Sequence, residues 1–492
     1  MKVKVFREVP PNAGPMIDSL RGVGYDPETA IADIVDNSIS AFATEVNINF
    51  VWDRESSSRI EIIDNGIGMS DSELEEAMRL GVKGPKYVRA KTDLGRFGMG
   101  LKTASFSQCK RLTVGTVKES KFSCLRWDLD YLEKQSAGKW QLLEGSDEAS
   151  EVYFESFKNR NSGTFVLLEE LDKIVQKGSK SSDFLDVIDK VDQHLGMVFH
   201  RYLSDGKKPV KIRINGREVN PWDPFMEGHV SKAWSSPVAT FSASPSVKIE
   251  CHVLPHRDKL TDREHQTASG PDGWLAQQGF YIYRNERLLV PGSWLGLDKS
   301  WMQDELHQLA RIRVDLTNYS DDEWKIDIKK SQAVPPIRLR KWLARYGSET
   351  RKKARSVFVH RGGYTRQSSQ EEIEAIWQVK KNKNGTSYKI DRSHSLIKGI
   401  LNEFSVKKQS LDDLFKLIEN TVPVKEIWLE SMNQQSEDEI QALEERDEKI
   451  QPVLSTFYNN LINVKGMSPS IAKKQLHNTQ PFCNYPKMID EL

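Results

Sequence analysis

Cysteine is scarce. The four in 492 residues (Cys109, Cys124, Cys251 and Cys483) are scattered, with neither the pairing of a disulfide framework nor the spacing of a zinc site. Reduced thiols are expected. No run of about 18 or more apolar residues occurs, and the start, MKVKVFREVPPNAGP, lacks the apolar core of a signal peptide. A membrane span is excluded on this reading, and a cytoplasmic protein is expected. Net charge is only +1, so no global field draws the chain to nucleic acid, and any such attraction must come from a local patch. Internal repeats and long low-complexity tracts are absent. The 38% hydrophobic and 29% charged fractions fit a globular protein, and the length suggests about three domains.

The densest signal present is Lys91 to Ser105, KTDLGRFGMGLKTAS. Glycine lets amide N–H groups converge on an anion, and a helix from Leu101 would aim its N-terminal amides the same way. A surface loop running into a buried helix is the alternative. Upstream, Asp26-Pro27-Glu28 reads as a cap, a first-position proline and a first-turn acid. The helix that follows carries an apolar stripe of Ala30, Ile31, Ile34, Val35 and Ile39. Asp33 and Asn37, four apart, share a face with Asp36 beside them; they are either paired structurally or hold a metal and a water. VNINFVW and SRIEIID alternate like strands. Asp64 ends the second of them before Gly66 and Gly68, which suits a nucleobase amino group or, alternatively, a plain Asx turn. Ser70 and Glu73 spell a capping box, with Gly81 closing that helix. Lys83, Lys86, Arg89 and Lys91 form either a basic lid over a polyanion or a solvated run. RLTVGTV, KFSCLRWDL and SGTFVLLEEL read as further strands, the last headed by Gly163-Thr164.

Taken in order, DIVDNSISA, DNGIGM, LGRFGMGLKTAS and SGTFV resemble the motifs of the GHKL (Bergerat-fold) ATPases, over about 150 residues. The likeness is closest to bacterial MORC and MutL-like members. It implies an α/β multidomain chain: a Bergerat-fold α/β sandwich, an α/β transducer domain, then a mostly helical C-terminal region. It implies ATP and Mg²⁺, with Asn37 as metal ligand. Asp64 would bind the adenine amino group, with Gly66, Gly68 and Met69 beside the ring and Thr164 supporting Asp64. Gly95, Arg96, Phe97, Gly98, Met99 and Gly100 would wrap the triphosphate, and Lys102 would neutralise it. Asp33 stands where these hydrolases usually carry a glutamate base. It has about 1.5 Å less reach, and misplacement on that scale costs on the order of a hundredfold in rate. Glu28 lies on another helical face and replaces it poorly.

The domain reading is 1–180 for ATP binding, 181–204 as a connector helix, and 205–361 for the transducer with a basic end. A linker at 362–370 precedes a partner or dimerisation region at 371–492. INGREVNPWDPF and QGFYIYRNERLLVPGSWLGL resemble the transducer. By analogy Lys330, or its neighbour Lys329, would reach the γ-phosphate; an exposed lysine pair is the alternative. Arg338, Arg340, Lys341, Arg345, Arg351, Lys352, Lys353, Arg355 and Arg361, interleaved with Trp342 and Tyr346, make a candidate for duplex DNA or a solvated helix face. The resemblance further implies a homodimer formed on ATP binding; the departure at Asp33 points to slow hydrolysis, and 371–492, which shows no catalytic constellation, is expected to serve partner proteins or dimerisation. DNA defence is its family-level setting. A non-hydrolysing ATP-gated scaffold and a heat-shock-type chaperone are the competing expectations.

Overall fold

The computed structural model describes residues 11–22, 24–53, 58–81, 100–134, 138–176, 178–204, 209–241, 247–317, 323–326, 333–359, 376–382, 385–403, 408–421, 451–452, 454–459, 461–463, 466–479 and 482–492. The chain divides into two compact units, Met1–Gly362 and Gly363–Leu492.

In the first unit, alternating segments become strands β1 (Glu45–Val51), β2 (Arg59–Asp64), β3 (Arg111–Lys118), β4 (Lys121–Asp128), β5 (Leu143–Glu144), β6 (Gly163–Glu169), β7 (Lys211–Ile214) and β8 (Arg217–Glu218). They form one mixed sheet in the order β5-β4-β3-β6-β2-β1-β7-β8. The last pair was expected in the second domain. Instead β7 runs parallel to β1, with Val46 opposite Ile212, because its Ile212 and Ile214 extend the same buried face.

That face carries helices α1 (Ala13–Arg21), α2 (Pro27–Ser40), α3 (Asp71–Met78), α4 (Gly100–Phe106) and α5 (Ser181–Val198), followed by the single turn α6 (His200–Leu203). Period-2 alternation sends Val46, Ile48, Phe50, Ile60 and Ile62 into one core with Ile31, Ile34 and Val35 of α2 and Val191 and Leu195 of α5. Each such side chain contributes roughly 1.5–3 kcal/mol by leaving water. Helix α5, expected as a connector, packs its apolar stripe onto this layer. Pro27 starts α2 as read, but Asp26 occupies the cap position without a side-chain cap bond. The capping box of α3 is complete: Ser70 Oγ accepts from the Glu73 amide, and Glu73 accepts from the Ser70 amide.

A second sheet in this unit comprises β9 (Trp234–Ser235), β10 (Ala239–Thr240), β11 (Lys248–Val253), β12 (Gly279–Arg284), β13 (Arg287–Ser293) and β14 (Ala310–Leu316). Its inner residues Ile249, Phe280, Ile282, Ile312 and Val314 pack with Leu339, Leu343 and Ala354 of helix α7 (Ile337–Val359). Trp342 and Tyr346 of α7 pack against this core and meet each other edge to face, ring centroids 5.1 Å apart, rather than standing out from the helix. Arg351 is also taken: it is buried over Trp294 and faces Asp304. Arg338, Lys341, Arg345, Lys352 and Arg355 remain exposed along one side of α7, while Arg361 lies outside the described residues.

The second unit, described by itself, opens with a hairpin of β15 (Trp377–Asn382) and β16 (Gly385–Ile390), Asn382 facing Gly385. Helices α8 (Ser395–Glu403), α9 (Lys408–Thr421), α10 (Pro469–His477) and α11 (Pro486–Glu491) follow, consistent with the mostly helical expectation.

Candidate active site

Strand β2 delivers Asp64 to the helix-covered face, in phase with Ile60 and Ile62. The carboxylate is 5% exposed. Its Oδ1 accepts the amides of Gly66 (2.9 Å) and Thr164 (3.1 Å), and its Oδ2 accepts the hydroxyl of Ser38 on α2 (2.8 Å). The Gly66 bond is an Asx turn, so that alternative holds too, as one part of a larger arrangement. Burial pushes the Asp64 pKa above its ordinary value, and the three donors oppose the rise. A carboxylate has about four lone-pair sites, so it can take one more donor, such as an exocyclic amino group.

Thr164 supports Asp64 through its main chain. It faces Asp64 on one side and Thr116 of β3 on the other, in a row across the sheet. Thr116, which sequence reasoning missed, donates to the Gly163 carbonyl (3.0 Å) and accepts the Met69 amide (2.9 Å). Gly163 is needed here: at φ +135, a Cβ would sit 2.4 Å from the Asp64 carbonyl oxygen.

Helix α2 brings Asp33, Asp36 and Asn37 to the same region. Asn37 is exposed, whereas Asp33 and Asp36 are 2% and 1% exposed. Tyr25 donates its hydroxyl to Asp33 Oδ2 at 3.0 Å. Asp36 is gripped by Arg287 of β13, whose Nε lies 2.9 and 2.8 Å from the two carboxylate oxygens. Arg287 Nη2 is also 3.7 Å from Asp33 Oδ1. No local pattern announces Arg287, which stands 251 residues from Asp36. A Cβ built on Gly100 would lie 3.7 Å from Asp33 Oδ2, so the end of the glycine-rich stretch runs beside Asp33.

Gly95, Arg96, Phe97, Gly98 and Met99 lie outside the described residues, as do the basic positions Lys83, Lys86, Arg89 and Lys91 and the pair Lys329 and Lys330. Lys102 on α4 is described and buried. Its Nζ donates to the Ala77 carbonyl in the last turn of α3 at 2.8 Å, a favourable end of a helix for a cation. Burial lowers its pKa to about 8.

This value makes a prediction. Below pH 8 the ammonium is present before and after a polyanion binds. Above it, the unbound amine is neutral, and a triphosphate that holds the charged form must recruit a proton. Affinity for ATP should therefore fall as pH rises from about 8 towards the ordinary lysine range near 10.4. Calorimetry at about pH 9, in buffers of different ionisation heat, should register proton uptake that Lys102→Met abolishes. Equal uptake in both proteins would remove Lys102 from the phosphate site.

The histidine kinase-, DNA gyrase B- and HSP90-like ATPase family matches residues 25–164, a span that holds every described residue just placed except Arg287. This segment is a GHKL ATPase domain. The chain is 33% identical over 98 residues to the ATPase MORC2B of Mus musculus, covering 20% of this chain and 10% of that protein. It is 31% identical over 99 residues to the ATPase morc-1 of Caenorhabditis elegans, covering 20% and 11%. Its relation is MORC-like, and it matches about a tenth of the length of these relatives. Among solved structures it is similar to the ATPase and transducer domains of DNA topoisomerase II from Balamuthia mandrillaris. That likeness has 12% identity and a TM-score of 0.37, over 66% of this chain and 84% of that one. No described helix is long and apolar enough to cross a membrane.

Proposed function

We propose that this is an ATPase in which Mg²⁺-ATP binding drives two N-terminal domains together as a DNA clamp and slow hydrolysis resets it. The observation that carries the reading is the buried Asp64 at the end of β2, held by donors from α2, the following turn and β6, with the Asp33 and Asn37 helix beside it. Adenine would dock on Asp64, and Asp33 would accept a proton from the attacking water. Lys330 or Lys329 would meet the γ-phosphate. Among the described residues no group of three or more His, Cys, Asp or Glu could hold a metal. A magnesium ion would therefore arrive with the triphosphate, which suits its habit of using few protein ligands. The exposed amide of Asn37 fits as one oxygen donor. Bound there, the ion would supply charge neutralisation of the phosphates.

The exposed row Arg338, Lys341, Arg345, Lys352 and Arg355 supports DNA as the clamped partner, through salt-dependent, sequence-independent phosphate contacts. The C-terminal unit would serve partner proteins, the compartment would be the cytoplasm, and the setting would be DNA defence. The test is Mg²⁺-ATP turnover with and without duplex DNA. Asp33→Ala is expected to lower kcat by about a hundredfold or more, Asn37→Ala to abolish turnover, and DNA to raise it.

One observation favours a second reading. Both oxygens of Asp33 already face partners, the Tyr25 hydroxyl and the Arg287 guanidinium, which suits a scaffold gated by ATP without turnover. ATP binding and ATP-driven dimerisation with no turnover would select that reading. Absence of ATP binding would sink both.

A further inference from the structure

We propose that Arg287 is a positioning residue for the nucleotide site, reaching from the second sheet to clamp Asp36 and steer Asp33. The proposal rests on the reading of Asp33 as the base. Arg287 opens β13 directly after the two-residue turn Asn285-Glu286, whose φ values of 48° and 68° are those of a hairpin turn that continues the strand twist. The turn is tied down from α6: Tyr202 donates its hydroxyl to the Asn285 carbonyl (2.5 Å), and Arg201 pairs with Glu286 (3.0 Å) and with Asp315 of β14 (2.5 Å). The guanidinium therefore leaves a fixed base. It is 2% exposed and lies 5.7 Å from the Phe199 ring.

Its nitrogens are divided between tasks. Nε meets both Asp36 oxygens, Nη1 donates to the Leu288 carbonyl at 3.0 Å, and Nη2 faces Asp33 Oδ1. Tyr25 takes the other Asp33 oxygen. Held from both sides, the Asp33 carboxylate has little rotational freedom. Orientation matters more here than for a glutamate, whose extra methylene could absorb a small shift. Only a planar fork reaches two carboxylates and a carbonyl together; a lysine ammonium keeps the charge but not that spread.

The test compares Arg287→Lys and the double variant Arg287→Gln/Asp36→Asn, which leaves no orphaned carboxylate at Asp36, with wild type and Asp33→Asn. Steady-state kcat and KM, the ATP Kd and the thermal midpoint are measured for each. In both Arg287 variants kcat should fall about tenfold or more, with KM and Kd within about threefold of wild type. The double variant should keep a midpoint near wild type. Wild-type kcat in either variant would overturn the proposal. So would a joint loss of kcat, affinity and thermal midpoint, the signature of a purely structural ion pair. Turnover that survives Asp33→Asn, or is absent from the wild type, would show instead that the base reading itself had failed, and the proposal would fall with it.

Discussion

Asp64→Asn should leave the protein folded while lowering ATP affinity by a hundredfold or more, about 3 kcal/mol. The amide keeps a carbonyl oxygen for the Gly66 and Thr164 amides, and the Ser38 hydroxyl can turn to accept from the new NH₂ group. What changes is the face offered to the base, where an acceptor becomes a donor opposing the adenine amino group. The same donor matches a carbonyl at that position, so the variant should gain affinity for inosine triphosphate as it loses ATP. Burial raises the Asp64 pKa, so stability is lost as pH rises from the ordinary carboxylate value of the unfolded chain through the raised folded one. The asparagine escapes that cost, and its thermal midpoint at neutral pH should match or exceed that of wild type. Titration of both nucleotides into both proteins checks the exchange. Unchanged ATP affinity would remove Asp64 from the adenine site.

Gly68→Ala should be the most destabilising single change in the nucleotide domain, on the order of 4 kcal/mol or more out of a typical total of 5–15. Gly68 has φ +68, and a Cβ would lie 1.9 Å from the Val117 carbonyl oxygen and 3.3 Å from the Gly163 amide. Val117 sits in β3, which is hydrogen-bonded on both sides by β4 and β6 and cannot step back alone. Gly81 is the matched control. Its φ is +73, yet among the described residues nothing lies within 4 Å of a built Cβ, so Gly81→Ala should cost only the left-handed backbone penalty, about 1–2 kcal/mol. Urea unfolding of both variants separates strain from collision. Equal midpoints would mean the turn does not press on β3 as described.

The pieces legible beforehand are those whose cause lies within a few residues. Helix α2 follows from Pro27 and the spacing of Ala30, Ile31, Ile34 and Val35, which are all buried. The box of Ser70 and Glu73 closes across a single turn, and β2 shows its alternation directly in Ile60, Ile62 and Asp64. The order of the four motifs carried the family. The strand Lys211–Ile214 was placed in the second domain because its alternation says only that one face is buried, not which sheet it joins. Trp342 and Tyr346 misled for a similar reason: aromatics among cations read alike whether they face bases or a core, and α7 turns them inward.

Local backbone preference and periodic burial were thus written in the chain itself: the turns at Gly66 and Gly68, the strand bearing Asp64, and the helix bearing Asp33 and Asn37. The tertiary structure alone decided what those groups meet. Thr116 reaches the Met69 amide and the Gly163 carbonyl only through the register of β3 with β6. Asp36 is buried with both oxygens bonded because Arg287 arrives from a strand 251 residues away. A buried carboxylate needs a countercharge or donors brought to within hydrogen-bond reach, and their arrival depends on how whole sheets pack rather than on any neighbouring residue.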